Sequence, residues 1–267
     1  MPADPRAVES LIAFWADAGV DAALGDAPVD RMAAGLEALK PRPPASASIL
    51  RPTFAAPLEV AGAVEEARAA AAEAQDIPAL ASAIAAFEGC ALKHQGARQA
   101  VFARGDPAAP VMIIGEGPGA EEDAQGAPFV GRAGKLLDKM LAAAGLDGRV
   151  FITNTVFWRP PGNRTPSPAE QMVCAPFLHR AIALAGPRLL LLAGGAAAKS
   201  VLKREEGILS LRGRWFDWSA EDGASSLPAL PTLHPAFLLR QPAAKKRVWA
   251  DLLNLTERLD RPERPAD

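Results

Sequence analysis

The sequence predicts an α/β fold: a three-layer sandwich with a central, mainly parallel four-stranded sheet, preceded by an N-terminal helical extension. Three observations lead there. From about residue 100, short apolar runs alternate with segments of helical period. The runs are apolar throughout rather than alternating, as in parallel strands covered by helices on both faces. The polar motifs fall where these runs end, and in such folds ligands sit beyond the carboxyl ends of the strands.

The elements follow in order. Residues 1–40 read as two short helices, with Leu11, Ile12, Phe14, Trp15 and Val20 on one stripe and Met32, Leu36 and Leu39 on another. Residues 41–57 hold five prolines and no helical period, the mark of a linker. Residues 58–75 and 78–87 are helical. APVMIIGEGPG (109–119) is a buried strand running into a Gly/Pro loop, and GRAGKLLDKMLAAAGLD (131–147) is an amphipathic helix. RVFITNTVFW (149–158) is the second strand and RPPGNRTPSP its loop. A long helix (168–186), a third strand (188–195) and a small-residue helix come next. LRGRWFDW (211–218) reads as an edge strand or hairpin, ALPTLHP (229–235) as the fourth strand, and 243–259 as the closing helix. The expected division is residues 1–85 as extension and 86–267 as the α/β domain.

Composition narrows the class. Of 267 residues 49% are apolar, which excludes a disordered or fibrous chain. The longest apolar runs, such as Leu189 to Ala193, fall far short of the roughly 20 residues of a membrane span. The N-terminus lacks the apolar core of a secretory signal, and two cysteines make no disulfide framework, so a cytoplasmic location is expected. The net charge of −2 hides an asymmetry. Residues 1–85 carry 12 acids and 6 bases, whereas 86–267 carry 19 acids and 23 bases. The C-terminal part is therefore the better partner for a polyanion.

Four segments carry chemistry. Gly115-Glu116-Gly117-Pro118-Gly119 is followed by Glu121, Glu122 and Asp123. It fits neither the Walker nor the dinucleotide pattern, and its acids would repel phosphate. Its glycines let backbone approach a ligand and Glu116 can hold a water; a tight turn with a solvated acidic rim is the other reading. Phe129, between Pro128 and Gly131, is either a stacking platform for a flat ring or a cap on the core. Asn154 can read a base edge presenting C=O beside N–H, or satisfy local backbone. His234 is the one of three histidines placed at a strand end for chemistry.

Taken together, GEGPGAEED, GAPFVGRAGKLLD, ITNTVFWRPPGNRTPSPAE and LPTLHPAFLLR resemble the family 4 uracil-DNA glycosylases across roughly residues 86–258. The resemblance implies an enzyme that extrudes a nucleotide from DNA into a pocket. Gly115, Gly117, Pro118, Gly119 and Glu122 would shape that pocket. Phe129 would stack on uracil and Asn154 would bond its O4 and N3–H edge. Glu116, or in its place Glu122 or Asp123, would orient a water against C1′, and His234 would hydrogen-bond O2 of the departing base. Leu238 would wedge into the stack, with Arg240 and Arg164 on the DNA backbone. The cluster Lys245, Lys246 and Arg247 reads either as phosphate contacts or as a solvated helix face.

The departures are as informative. Family 4 enzymes typically hold a four-iron, four-sulfur cluster on four cysteines. Here the corresponding positions are Phe87, Cys90, Trp158 and Cys174. Two thiolates cannot hold such a cluster, so a cluster-free branch with no metal or nucleotide cofactor is expected. RPPGNRTPSP lacks the histidine of relatives that trap the abasic sugar, so ordinary turnover is expected. The expected function is a monomeric, monofunctional uracil-DNA glycosylase leaving an abasic site for base-excision repair. The alternative is a non-catalytic DNA-binding protein that keeps the fold. Residues 1–85 lie outside the resemblance, as a docking module for a protein partner or as a helical buttress.

Overall fold

The computed structural model of the protein describes residues 57–220, 223 and 225–261. The helices expected over 1–40 and nearly all of the proline-rich stretch lie outside these residues. The described residues belong to one compact unit. It opens with α1 (Pro57–Glu73) and α2 (Ile77–Ala86), the latter capped by Asp76, whose carboxylate accepts the Ala79 N–H at 2.7 Å.

The sheet has six strands rather than four. β1 (Ala103–Gly105), β2 (Val111–Gly115), β3 (Val150–Asn154), β4 (Leu189–Ala193), β5 (Phe216–Ser219) and β6 (Ser226–Thr232) lie in the order β1-β3-β2-β4-β6-β5. The inner four are parallel, as expected, and both outer strands are antiparallel to their neighbours. The unexpected β1 is only three residues long, too short to show a period, and Gly105 ends it at φ +96°. The expected edge strand at 211–218 is β5, displaced toward its C-terminal half, because residues 208–211 form a helical turn (α7).

Burial explains the apolar runs. β2, β3 and β4 are buried at every position. Val111 and Ile113 face one layer with Leu137 and Leu141 of α4 (Arg132–Ala143) and Leu252 and Leu255 of α9 (Lys245–Asp260). Met112 and Ile114 face the other, with Cys174 and Phe177 of α5 (Pro168–Ala185) and Ala198 of α6 (Gly195–Leu202). Ala67, Ala71, Leu80 and Ile84 of α1 and α2 join this second cluster. Residues 57–85 are thus packed into the α/β core, because their small and aliphatic side chains cover α5. Among the described residues, no helix is long and apolar enough to cross a membrane.

The chain runs from β2 to β3 on one side and then crosses to β4 on the other side of β2. That reversal opens a crevice beyond the carboxyl end of β2. The site lies there.

Candidate active site

β2 ends at Gly115, which is buried under two side chains. A Cβ at this position would collide with Oδ1 of Asn154 and lie 2.6 Å from the ring of Phe129. The absence of a side chain therefore lets the Asn154 amide and the Phe129 ring close on the same strand end.

Phe129 is held in an unusual backbone state, with φ +55°. Two contacts keep it there. Arg104, on β1, donates to the carbonyls of Pro128 (2.8 Å) and Phe129 (3.3 Å) and pairs with Asp138. Gly134, on α4, leaves room for the Phe129 carbonyl, which a Cβ would strike. The ring of Phe129 lies 5.6 Å from that of His234, tilted by 32°.

The loop after β2 is fixed by a carboxylate. One oxygen of Glu122, near the start of α3 (Ala120–Gln125), accepts the Gly119 N–H at 3.1 Å. The other accepts the N–H groups of Val130 (3.1 Å) and Gly131 (2.9 Å). Glu122 thus staples the Glu116 loop to the Phe129 loop, and both its oxygens are engaged. Asp123 is buried and accepts the Arg98 N–H at 2.8 Å. Glu116 is half-buried and, among the described residues, its carboxylate has no hydrogen bond or ion pair. Glu121 is also unpaired among the described residues but is exposed and does not line the cavity, so Glu116 is the cavity-lining acid of this loop left available to a water.

Asn154 closes β3 and is 1% exposed. Its amide makes no hydrogen bond to the protein among the described residues and stays open to the cavity it lines; the buried side-chain atom left without a partner is Trp158 Nε1 instead. His234 caps α8 (Pro235–Arg240), and its Nδ1 accepts the Ala236 N–H at 3.1 Å. Burial, helped by the nearby Arg240 charge, lowers its pKa to about 4, against a weaker opposing pull from Glu122.

These groups line a cavity of about 570 Å³ with Gly117, Pro118, Gly119, Glu122, Arg164 and Arg240. Gly115 makes space for the cavity without lining it. Arg164 lines it, but its guanidinium is taken up by both oxygens of Glu170 (2.9 and 2.6 Å), so it braces the loop rather than presenting a free cation. Leu238 is corrected outright. It is fully buried in the cluster with Leu137 and Leu141, and cannot be the wedge. Its burial follows from the way α8 docks on α4. The apolar side chains of α8 that reach the surface are Phe237, at the cavity, and Leu239, 39% exposed. The sequence reading also missed Arg104, which acts on backbone carbonyls and so leaves no motif.

The arrangement offers a cavity with an aromatic ring, an amide and a carboxylate unpaired within the protein among the described residues, and an imidazole around it. The model of the Uracil DNA glycosylase superfamily matches residues 102–253. A Type-4 uracil-DNA glycosylase of Pyrobaculum aerophilum is 38% identical over 164 residues, 60% of this chain and 83% of that protein. One of Sulfurisphaera tokodaii is 36% identical over 171 residues, 62% of this chain and 77% of the relative. One of Thermotoga maritima is 38% identical over 149 residues, 55% and 75%. The chain belongs to the uracil-DNA glycosylase superfamily.

The residues at the four cluster positions do not fit an iron–sulfur centre. The Cys90 and Cys174 sulfurs lie 3.9 Å apart, and burial pushes the Cys174 thiol up, away from the thiolate a metal needs. Phe87 packs edge-on against Phe177 at 5.1 Å, and Trp158 is 1% exposed in the same apolar cluster. Among the described residues no three metal-binding side chains come together.

Proposed function

We propose that the protein is a monofunctional uracil-DNA glycosylase that hydrolyses the N-glycosidic bond of deoxyuridine in DNA. The observation that carries this reading is Asn154: a buried amide, unpaired within the protein, held beside the ring of Phe129 at the end of β3. An amide that the protein leaves unpaired at the cavity wall is free to pair with a ligand edge that complements its one acceptor and two donors.

In this reading the uracil is extruded from the stack and lies against Phe129. The Asn154 oxygen accepts from N3–H and its NH₂ donates to O4. Cytosine reverses the pattern at position 4 and lacks the N3 proton, leaving mismatched buried groups. Glu116 orients a water toward C1′ and stabilises the positive charge that develops there. The C1′–N1 bond breaks with its electron pair leaving on the base. His234 donates from Nε2 to O2 as negative charge builds, a preplaced donor that strengthens in the transition state. Arg240, exposed at the cavity rim, meets a backbone phosphate. One chain supplies every group invoked, in keeping with action as a monomer. DNA is the macromolecular partner this chemistry requires.

The test is excision from an oligonucleotide carrying a single uracil, read by alkaline cleavage at the abasic site. Product accumulating over many turnovers is expected. Binding without product would favour a non-catalytic DNA-binding role instead.

A further inference from the structure

Thr155 stands one residue beyond β3 and is 1% exposed. Its backbone N–H donates to the Gly115 carbonyl at 2.9 Å, adding a rung to the β2–β3 ladder. Its hydroxyl donates to the next carbonyl, that of Glu116, at 2.6 Å. These two carbonyls belong to the peptide planes immediately before and after the Glu116 Cα. With both planes tied to one residue, the direction of the Glu116 Cα–Cβ bond is fixed. The far end of that side chain has no tether, since the carboxylate is unpaired among the described residues. The loop continues as Gly117-Pro118-Gly119, whose glycines add no stiffness of their own.

We infer that Thr155 is a positioning residue for the reaction: its hydroxyl, through the Glu116 carbonyl, aims the carboxylate that holds the attacking water. The inference rests on the role given to Glu116 above. Any residue but proline supplies the first hydrogen bond; only a hydroxyl of this length supplies the second. The stiff, β-branched threonine side chain holds that hydroxyl in one rotamer better than serine would.

The experiment compares Thr155→Val, Thr155→Ser, Glu116→Gln and the Glu116→Gln/Thr155→Val double variant in the full chain, by kcat and KM on the uracil oligonucleotide. Loss of one aligning hydrogen bond is expected to lower kcat of Thr155→Val about 10-fold with KM little changed. Thr155→Ser should recover most of the rate. In the Glu116→Gln background, Thr155→Val should cost nothing further, because there is no carboxylate left to aim. Thr155→Ala replaces the valine variant if thermal unfolding shows that valine does not fold. A parental rate for Thr155→Val beside a defective Glu116→Gln overturns the inference alone. An equal loss in both backgrounds, or a change confined to KM, also overturns it, because Thr155 then acts elsewhere. A parental rate for Glu116→Gln overturns the role of Glu116 itself, and this inference with it.

Discussion

His234 accepts the Ala236 N–H on Nδ1, so the neutral ring must carry its proton on Nε2. A protonated imidazole has no lone pair for that bond, and burial independently holds the pKa at about 4. The helix cap and the desolvation therefore select the same species: a neutral ring with its donor free. In the proposed reaction His234 therefore acts as an electrophile rather than as a general acid.

The pH profile follows with its sign. The folded-state pKa lies below the ordinary value near 6.5, so the neutral form is complete above that value and is lost as pH falls through about 4. kcat should stay level from pH 6 to 9 and fall only on the acid side. His234→Ala should lose on the order of 10²-fold, as when one oxyanion donor is removed. Steady-state rates from about pH 3.5 to 9 check both; a tenfold fall per unit above 6.5 in the parent alone would mean that the cation is required.

Asn154→Asp should lower uracil excision about 10- to 100-fold, because an ionised carboxylate offers no donor to O4. The same carboxylate can accept from the exocyclic amine of cytosine, so a trace of cytosine release is expected. Paired oligonucleotides with uracil or cytosine at one position measure the change in preference, and unaltered uracil excision would place Asn154 outside the pocket.

Glu122→Gln tests the staple. An amide has one acceptor oxygen and cannot serve Gly119 at one end and Val130 and Gly131 at the other. A stability loss of about 1–3 kcal/mol is expected from the unpaired N–H groups. The rate should fall as well, since the loops carrying Glu116 and Phe129 lose their tie. Urea denaturation and excision kinetics on the same preparation measure the two effects.

Leu238→Ala should cost about 2–5 kcal/mol, as for a leucine truncated inside a packed core. Leu239→Ala, at an exposed position of the same helix, should unfold near the parental midpoint. If Leu238→Ala left stability intact, the docking of α8 on α4 would be wrong.

The purified protein should be colourless. Two thiols and two aromatic rings occupy the four ligand positions. Iron and acid-labile sulfide in stoichiometric amounts, with a broad visible absorbance, would show ligands supplied from elsewhere.

Much of this fold is legible in the chain because β2, β3 and β4 are buried on both faces and so read as unbroken apolar runs. Glu116, Asn154 and His234 are legible for a related reason: each sits where such a run stops, and strand ends converge. What a sequence does not carry is which face of a short helix is covered. α8 has six residues, and the burial of Leu238 rather than Leu239 depends on α4, a hundred residues earlier. Nor does it reveal which carboxylate in an acidic loop is already spent on backbone. Glu116 and Glu122 look alike in GEGPGAEED, and only three N–H groups brought together by the fold separate them. Arg104 and Thr155 work through carbonyls, which every residue has, and so their roles have no sequence signature.

The substitution of carbon for metal at the Phe87 and Trp158 positions changes how the protein comes to exist. Where a cluster closes a core, the binding energy of the metal is part of the folding energy, and the chain matures only as fast as that cluster is delivered. Here indole and phenyl rings arrive with the polypeptide itself. The closing of this wall then waits on no delivered metal, and the oxidisable groups left in it are the two buried thiols of Cys90 and Cys174.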